Sequence, residues 1–349
     1  MPNSRAKLMS DSIVSLSGNN ELTLEQILLV LRQEYDERTV QQLVGKFCLE
    51  ATSDDIRKKG MEFLFTNGRY DDLQRLIIKN KSSESSSNRN WADVYQLTLD
   101  RKKRRYSAHD ILRSANTMQT DEPELKCLLE FIKTSIYYRW NEYGKLGNIM
   151  EKQQNLFEKI NDGFLLECFR SRLYHNLFIY YLYRNEVIIA RKYAFRILTH
   201  TVNPETKISL HMGLGLSYTY DTYFQAMYHF TEALKIAQKE DLHKIVEIIE
   251  QQNIPFISAH FGKVEGVTST DESEQAHIEI AKGNHAKAEA ILNRMEMDSP
   301  FKMYYLGVAK QDKSILLQAY NQFIEKRSDY FFSRLPLRVL QQKERRQTL

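Results

Sequence analysis

Apolar residues recur every three or four positions along most of the chain, which is the spacing of one face of an α-helix. The first such stretch begins at Leu24 and continues through Ile27 and Leu31. Thr23 precedes it and Gln26 follows three residues later, a pair typical of a capping box at a helix N-terminus. The pattern therefore predicts that the helical part of the chain begins near Thr23.

Further start and stop signals divide the next part of the chain into short antiparallel helices. Residues 52–55, TSDD, are typical of a helix N-terminus, and Asn67 with Gly68 is typical of a C-terminal stop. Residues 80–90, NKSSESSSNRN, are polar and low in complexity, so we predict a surface loop or linker there. From Leu125 onward, aromatic residues recur at helical spacing, which favours a packed core over a cofactor site.

Small residues recur at the offsets of a tetratricopeptide repeat, in which Gly or Ala lets two helices approach closely. The stretches that fit wholly or in part are Leu306 and Gly307 with Ala319 and Phe323, Leu214 and Gly215 with Ala226 and Phe230, Ala190 with Ala194 and Ile197, and Gly283 with Ala288 and Leu292. We therefore predict an all-α fold, a right-handed α-solenoid of degenerate tetratricopeptide-like helical repeats; a plain helical bundle is the alternative. A solenoid offers a concave surface for a peptide or a helix, which indicates a binding protein.

Composition agrees with a helical protein and narrows the functional classes. The 349 residues include only 13 Gly and 6 Pro, which disfavours turn-rich β folds. No apolar stretch reaches the roughly 18 to 20 residues that cross a membrane, and the N-terminus has no apolar signal core. We therefore expect a cytoplasmic protein without membrane contact. The net charge of +4 permits contact with nucleic acid without requiring it.

The residue types that carry catalysis and bind metals do not form recognisable patterns. The nine histidines show no metal-ligand spacing with one another or with cysteine, so we expect no metal and no cofactor. The chain has neither a nucleophile elbow nor a phosphate-loop lysine, so we expect that it is not an enzyme. Cys48, Cys127 and Cys168 lie in apolar helical surroundings and are predicted to be reduced core residues. His277 is predicted to be a capping or core histidine.

Several short motifs near the C-terminus recur in the order and spacing of a known family. They are Glu274 to His277, Lys287 with Ala288, Tyr304 to Leu306, Ser328 with Asp329, and Arg334 to Leu337. This series resembles the arbitrium receptors (AimR) of Bacillus phages and prophages. Weaker similarity extends backward to about residue 23, so the resemblance covers most of the chain.

The resemblance implies a receptor that holds a short communication peptide in the groove of its repeats. It also implies a homodimer formed through the C-terminal helices, operator DNA bound by an N-terminal helix-turn-helix, and control of transcription in the lysis–lysogeny decision. We accordingly predict a short polar segment at 1–22, in which the DNA-binding head of the family is missing or truncated, a repeat domain at 23–301, and a last repeat with a dimerisation segment at 302–349.

Two other functions fit the same architecture. The first is a paralogue without a DNA-binding head that acts by contact with another regulatory protein, as an adaptor, a decoy or a dimerisation partner. The second is a peptide-controlled modulator of response-regulator phosphorylation, for which the sequence offers no motif. Specific, salt-dependent binding to an operator separates the transcription regulator from both.

The resemblance also indicates candidate peptide contacts. Asp329 matches a family position that contacts the peptide, although a helix N-cap is an alternative role for it. Arg334 is predicted to orient Asp329 or to pair with it. Asn185 is the one residue in the matching stretches that can replace the asparagines with which the family holds the peptide backbone. Lys207 is the nearest basic residue predicted in the groove.

Candidate contacts with nucleic acid and with a second copy complete the predicted sites. For phosphate contact they are Arg5, Lys7, Arg101, Lys102, Lys103, Arg104 and Arg105. A solvated surface between helices is the interpretation that we favour for the run at 101–105. For the dimer, the predicted apolar face consists of Leu335, Leu337, Val339 and Leu340.

Overall fold

The computed structural model describes residues 22–347, which fold into helices joined by short turns. The helices are α1 (Leu24–Glu34), α2 (Glu37–Glu50), α3 (Asp54–Thr66), α4 (Tyr70–Lys81), α5 (Ser86–Lys102), α6 (Ala108–Thr117), α7 (Pro123–Arg139), α8 (Leu146–Phe157), α9 (Gly163–Tyr183), α10 (Val187–Leu198), α11 (Pro204–Ser217), α12 (Tyr223–Lys239), α13 (His243–Ile248), α14 (Ile254–His260), α15 (Glu272–Ala281), α16 (His285–Leu292), α17 (Pro300–Ala309), α18 (Lys313–Asn321) and α19 (Arg334–Gln347). A 3-10 turn spans Tyr143–Lys145, and π-helical turns span Ile249–Asn253 and Gln322–Lys326. No strand occurs between residues 22 and 347, and no helix in this range is long and apolar enough to cross a bilayer.

The contacts between residues divide the described chain into two compact units. Unit 1 comprises residues 22–139 and 148–173, and unit 2 comprises residues 140–147 and 174–347. The segment 140–147 thus belongs to unit 2, although the residues on both sides of it in sequence belong to unit 1. The predicted division into 1–22, 23–301 and 302–349 stays a prediction.

Side-chain caps explain where several helices begin. Thr23 Oγ1 accepts a hydrogen bond from Gln26 N at 3.3 Å, and Gln26 Oε1 accepts one from Thr23 N at 2.9 Å. Both bonds of the predicted capping box are therefore present. Ser53 Oγ accepts a hydrogen bond from Ile56 N at the start of α3, and Asn67 is the residue at which the helix ends. These local signals were readable in the sequence because each cap bonds to a residue only a few positions away.

Glycines set the close crossings of the two clearest repeats. Helix α11 packs on α12, and α17 packs on α18. A Cβ atom at Gly215 would lie 2.6 Å from the ring of Phe230, and one at Gly307 would lie 2.9 Å from Leu316. A side chain at either position would force the two helices apart. The predicted all-α, tetratricopeptide-like repeat fold is confirmed.

The prediction of a loop or linker at 80–90 holds only for residues 82–85, between the end of α4 and the start of α5. Helix α5 begins within this stretch, at Ser86. Asn88 is fully buried, and its amide donates to Asn80 Oδ1 at 3.0 Å and to Asp54 Oδ1 at 2.8 Å. Polar composition was misleading here because the Asn88 amide group bonds to Asn80 and Asp54 inside unit 1.

Candidate functional site

Unit 2 contains a cleft of about 210 Å³ formed where several of its helices end. Aromatic and apolar side chains make up half of its lining, and amide or charged side chains make up the rest. Such a mixture is typical of ligand sites. The lining residues are Asn141, Tyr143, Tyr183, Leu216, Gln252, Asn253, Phe256, Glu274, Phe301, Arg327, Asp329 and Phe332.

Two π-helical turns bring polar residues to this cleft. The first, Ile249–Asn253, supplies Gln252 and Asn253, and the second, Gln322–Lys326, is followed directly by Arg327. A π turn changes the direction of the side chains that follow it, relative to a regular α-helix. Such turns are frequent at functional sites, and both of those among residues 22–347 adjoin the cleft.

Stacked and edge-to-face rings form the apolar wall of the cleft. The rings of Tyr143 and Tyr183 stack with 3.5 Å between centroids and 8° between planes. The ring of Phe332 lies 5.0 Å from that of Phe301 and 5.9 Å from that of Phe256. Aromatic contacts of this kind hold the rings in fixed positions. The wall therefore offers a preformed surface to the aliphatic part of a ligand.

Asp329 lines the cleft but is only 1% exposed. Its Oδ1 atom accepts a hydrogen bond from Phe332 N at 2.8 Å, so the side chain caps the turn before α19. Burial raises the pKa of this carboxyl from 3.8 to about 7, although backbone N–H donors and the charge of Arg327 oppose the rise. A cation placed beside Asp329 would favour its ionised form.

The other polar groups of the cleft differ in how far their hydrogen bonds are satisfied. Glu274 accepts a hydrogen bond from Tyr305 Oη at 3.0 Å and lies 3.4 Å from His277 Nδ1. Asn253 Oδ1 is buried and has no hydrogen-bond partner among the described residues. A buried acceptor without a partner costs about 1 to 3 kcal/mol. Asn253 is therefore the group whose chemistry most favours an incoming N–H donor.

The structure brings some of the predicted peptide-binding residues together and separates others. Arg334 Nη1 donates to Asn185 Oδ1 at 2.9 Å, and the Arg334 guanidinium lies 4.0 Å from the ring centroid of Tyr220. The predicted pairing of Arg334 with Asp329 is thus replaced by a bond to Asn185. Asn185 and Arg334 lie outside the cleft lining, as does Lys207, which is half-buried in the first turns of α11.

Three residues of the basic run at 101–105 have local partners, and the guanidinium of Arg101 is buried. Burial lowers the pKa of the Arg101 guanidinium to about 10, whereas Arg104 is exposed with a φ of +54°. Lys102 Nζ lies 4.4 Å from the centroid of the Tyr70 ring. Lys103 Nζ lies 3.6 Å from Asp71 Oδ1, and Arg105 Nη1 lies 3.1 Å from Asp100 Oδ1. This arrangement favours a surface between helices over a phosphate site. Arg5 and Lys7, with the predicted 1–21 part of the N-terminal segment, lie outside the described residues.

The predicted dimer face is only partly at the surface. Leu335 is 2% exposed, so its side chain packs within its own protomer and offers no area to a second copy. Leu337, Val339 and Leu340 are half-buried along α19. Of the predicted face, these three side chains have area left for contact with another chain.

The three cysteines and His277 lie in the protein interior. Cys48, Cys127 and Cys168 carry free thiols, and burial raises their pKa, to about 12 for Cys48. A high pKa disfavours the nucleophilic thiolate. His277 is buried and stacks on Tyr305, as expected for a core histidine. Within residues 22–347, no three His, Cys, Asp or Glu side chains are grouped in a way that suits a metal ion.

Sequence analysis missed most of the cleft. Asn141, Tyr143, Asn253 and Arg327 were not among the predicted residues. One signal was available: Pro255 has no N–H and removes a hydrogen bond from a helix interior, so it marks the irregular turn that ends at Asn253. Nothing in the local sequence marks the other three.

Several curated proteins are similar to this chain. An uncharacterised Bacillus anthracis protein is 24% identical over 238 residues, which span 62% of this chain and 84% of that protein. The AimR transcriptional regulator of Bacillus phage phi3T is 23% identical over 316 residues, 86% of this chain and 81% of the regulator. The AimR transcriptional regulator of Bacillus phage SPbeta is 20% identical over 339 residues, 93% of this chain and 86% of the regulator.

Solved structures show the same fold. The structure of phAimR with its ligand has a TM-score of 0.74 at 21% identity and covers 93% of this chain and 98% of that one. A selenomethionine form of phAimR has a TM-score of 0.65 at 20% identity, covering 92% of this chain and 85% of that one. The model of the AimR transcriptional regulator-like family matches residues 40–342, and the chain therefore belongs to that family.

Proposed function

We propose that this protein is an arbitrium-type receptor that binds a short signalling peptide in the cleft of unit 2. In this proposal the peptide controls transcription in the lysis–lysogeny decision of a phage or prophage, and the protein acts in the cytoplasm. Family membership, the Bacillus phage relatives and the ligand of phAimR support the proposal. Because the family is one of transcriptional regulators, the sequence prediction that the chain is not an enzyme is confirmed.

The main support for the peptide proposal is the chemistry of the groups that line the cleft. A peptide offers backbone N–H donors, and Asn253 offers a buried acceptor that has no partner among residues 22–347. A peptide also offers apolar side chains, which suit the wall formed by Phe301 and Phe332. A cationic side chain or amino terminus suits Asp329, because an arriving charge offsets the cost of ionising a buried carboxylate. Each lining group thus has a matching group in a short peptide.

The remaining predicted peptide residues take supporting positions in this proposal. The hydrogen bond between Asn185 and Arg334 ties the end of α9 to the start of α19. The backbone N–H of Tyr330, next to Asp329, also bonds to the carbonyl of Tyr183 at 2.8 Å. We propose that these bonds hold Asp329 in position. Lys207 remains the predicted basic contact for a part of the peptide outside the cleft.

We further propose that the protein binds operator DNA as a homodimer. Leu337, Val339 and Leu340 supply the apolar contact between copies. Arg5, Lys7 and the exposed Arg104 supply phosphate contacts, and binding through phosphates weakens steeply as salt rises. Sedimentation of Leu337→Asp with Leu340→Asp should show a monomer where the wild type shows a dimer. A dimer that survives both substitutions would place the interface elsewhere.

The direct test is a selection of peptides followed by DNA binding. Purified protein is incubated with a random hexapeptide library with free termini, and bound peptides are read by mass spectrometry. Gel shifts against the DNA on either side of the gene are then run at low and physiological salt, with and without a selected peptide. We expect a specific shift that the peptide changes. A library that yields no bound peptide would contradict the receptor proposal.

A protein-contact regulator is the second candidate, and two exposed apolar side chains favour it. Ile188 is 85% exposed and Phe224 is 80% exposed, so both side chains offer apolar area to a partner protein. This candidate predicts a protein partner that binds the wild type and is lost in Ile188→Asp with Phe224→Asp. It also predicts no sequence preference in the gel shifts.

A further inference from the structure

The segment 140–147 connects two parts of unit 1 but packs in unit 2. Helix α7 ends at Arg139, directly before the segment, and α8 begins at Leu146, near its end. Residues of unit 1 therefore flank the segment on both sides in sequence. Any change in how firmly the segment is held acts through the peptide bonds on the ends of these two helices.

Several contacts seat the segment firmly in unit 2. Tyr143 is 6% exposed and stacks on Tyr183 with 3.5 Å between centroids, a contact that stabilises the position of both rings beyond the effect of burial. Its hydroxyl donates to Asn141 Oδ1 at 2.8 Å. A Cβ atom at Gly144 would lie 2.7 Å from Ser328 Oγ, so the backbone of the segment approaches Ser328 closely.

The same segment forms part of the cleft. Asn141 and Tyr143 line it together with Asp329, the residue that follows Ser328. Tyr183, on which Tyr143 stacks, also lines it and bonds through its carbonyl to Tyr330 N at 2.8 Å. A ligand that fills the cleft therefore touches both the segment and the turn that seats it.

We propose that the 140–147 segment senses the ligand and transmits its presence to helices α7 and α8 of unit 1. This inference rests on the proposed peptide receptor and adds the route by which the peptide acts. Helix ends open and close locally more often than helix centres. A ligand that holds the segment in place suppresses this opening at the C-terminus of α7 and the N-terminus of α8. A ligand bound in unit 2 thus makes the ends of α7 and α8 more ordered.

A disulfide can hold the segment without any ligand. A Cβ at Gly144 would lie 3.4 Å from Ser328 Cβ, close to the roughly 3.5 to 4.5 Å that disulfides need. Gly144→Cys with Ser328→Cys is therefore compared in its oxidised and reduced forms by amide hydrogen exchange of the full chain. We expect oxidation to slow exchange about threefold or more in α7 and in residues 148–157 of α8, as for a suppressed local opening. Slowing confined to 140–147 would overturn the proposal.

A second variant decides the question if the disulfide does not form. Tyr143→Leu removes the ring stack but keeps an apolar side chain, and we expect faster exchange in α7 and α8. Tyr228→Leu is the matched control, because Tyr228 is 53% exposed on α12, and it should leave both helices unchanged. Exchange in α7 and α8 that is the same in Tyr143→Leu as in the wild type would also overturn the proposal.

A selected hexapeptide separates this inference from the receptor proposal. With peptide bound, exchange in α7 and α8 of the wild type should slow, as it does in the oxidised disulfide variant. If no peptide binds, the receptor proposal fails while the disulfide result stands. If a peptide binds and α7 and α8 do not respond, the receptor proposal stands and the sensing role of the segment fails.

Discussion

Two clusters of buried charges in unit 1 are paired, whereas Asn253 and Asp329 in the cleft of unit 2 can each accept a further polar partner. In unit 1, Glu62 is fully buried and accepts hydrogen bonds from Tyr95 Oη and the Arg172 guanidinium. The ammonium of Lys59 lies within 3.0 Å of three carboxylates, those of Glu25, Asp55 and Asp162. In unit 2, Asn253 Oδ1 has no partner among the described residues, and burial raises the pKa of Asp329 to about 7.

We interpret the paired charges around Glu62 and Lys59 as groups that stabilise the fold, and the two cleft groups as groups that bind a ligand. A buried charge surrounded by opposite charges and donors adds to the structure only while every member of the group is present. A buried acid with a raised pKa and an acceptor without a partner instead lower stability until something binds. The comparison therefore makes opposite predictions for substitutions in the two units.

The largest effect is expected in unit 1. Glu62→Ala leaves the buried Arg172 guanidinium and the Tyr95 hydroxyl without their acceptor, so the free energy of unfolding should fall by about 3 to 5 kcal/mol. Denaturant unfolding measures it. Glu232→Ala is the control, since its ion pair with Lys235 at 2.8 Å is solvent-exposed and such pairs contribute about 0 to 1 kcal/mol. Equal losses in both variants would remove the special role of Glu62.

The second effect concerns pH and Asp329. Burial raises the pKa of this carboxyl from 3.8 to about 7, so between pH 4 and 7 the folded state keeps a proton that the unfolded state has lost. The free energy of unfolding therefore falls as pH rises through this range. Asp329→Asn keeps the capping acceptor and removes this slope, a difference of at most about 4 kcal/mol.

Unfolding curves of Asp329→Asn and the wild type should thus diverge between pH 4 and 7, with the variant relatively more stable at the higher pH. Taking the difference in unfolding free energy between the two proteins cancels the contributions of the other titrating groups. Burial lowers the pKa of His175, His229 and His260 to about 4, and these act in the opposite direction in both proteins. Stability curves that run parallel over the range would show that Asp329 ionises normally.

A smaller effect is expected at the close helix crossing in unit 2, where an added methyl group should lower the unfolding free energy more than at a glycine of unit 1 that has open space around it. Gly215→Ala places a methyl group 2.6 Å from the ring of Phe230, and such overpacking costs about 1 to 3 kcal/mol of unfolding free energy. Gly163→Ala in unit 1 is the control, because apart from its chain neighbours and its own helix backbone no atom lies within 4 Å of the added Cβ. Thermal unfolding of both variants distinguishes them, and a stable Gly215→Ala would contradict the close helix crossing.

The smallest effect is expected at Asn253, and it should appear in binding alone. Asn253→Ala removes an acceptor without a partner among residues 22–347, so the free energy of unfolding should not fall. Affinity for a selected hexapeptide should fall by about five- to tenfold, as for one lost hydrogen bond. Asn293→Ala, at the exposed end of α16, is the matched control for titration calorimetry. A loss of stability with unchanged affinity would make Asn253 a structural residue.

Most of the fold could be predicted from local sequence patterns, whereas most of the site depends on tertiary contacts. Thr23 and Gly215 were predictable because their partners lie at fixed offsets in sequence. Asn88 was misread because its partner Asp54 lies 34 positions away. Tyr143 was missed for the same reason, since its stacking partner is Tyr183. Asp329 was found only through the family resemblance, because its burial depends on residues brought together by the fold.

Titration of one selected hexapeptide into wild type and Asp329→Ala at pH 8 tests the cleft as the peptide site most directly. At this pH the Asp329 carboxyl, with a pKa of about 7, is largely ionised in the wild type. A charged hydrogen bond contributes about 1.5 to 3 kcal/mol, so the variant should bind at least tenfold more weakly while remaining folded. Equal affinity in the two proteins would contradict peptide binding at Asp329.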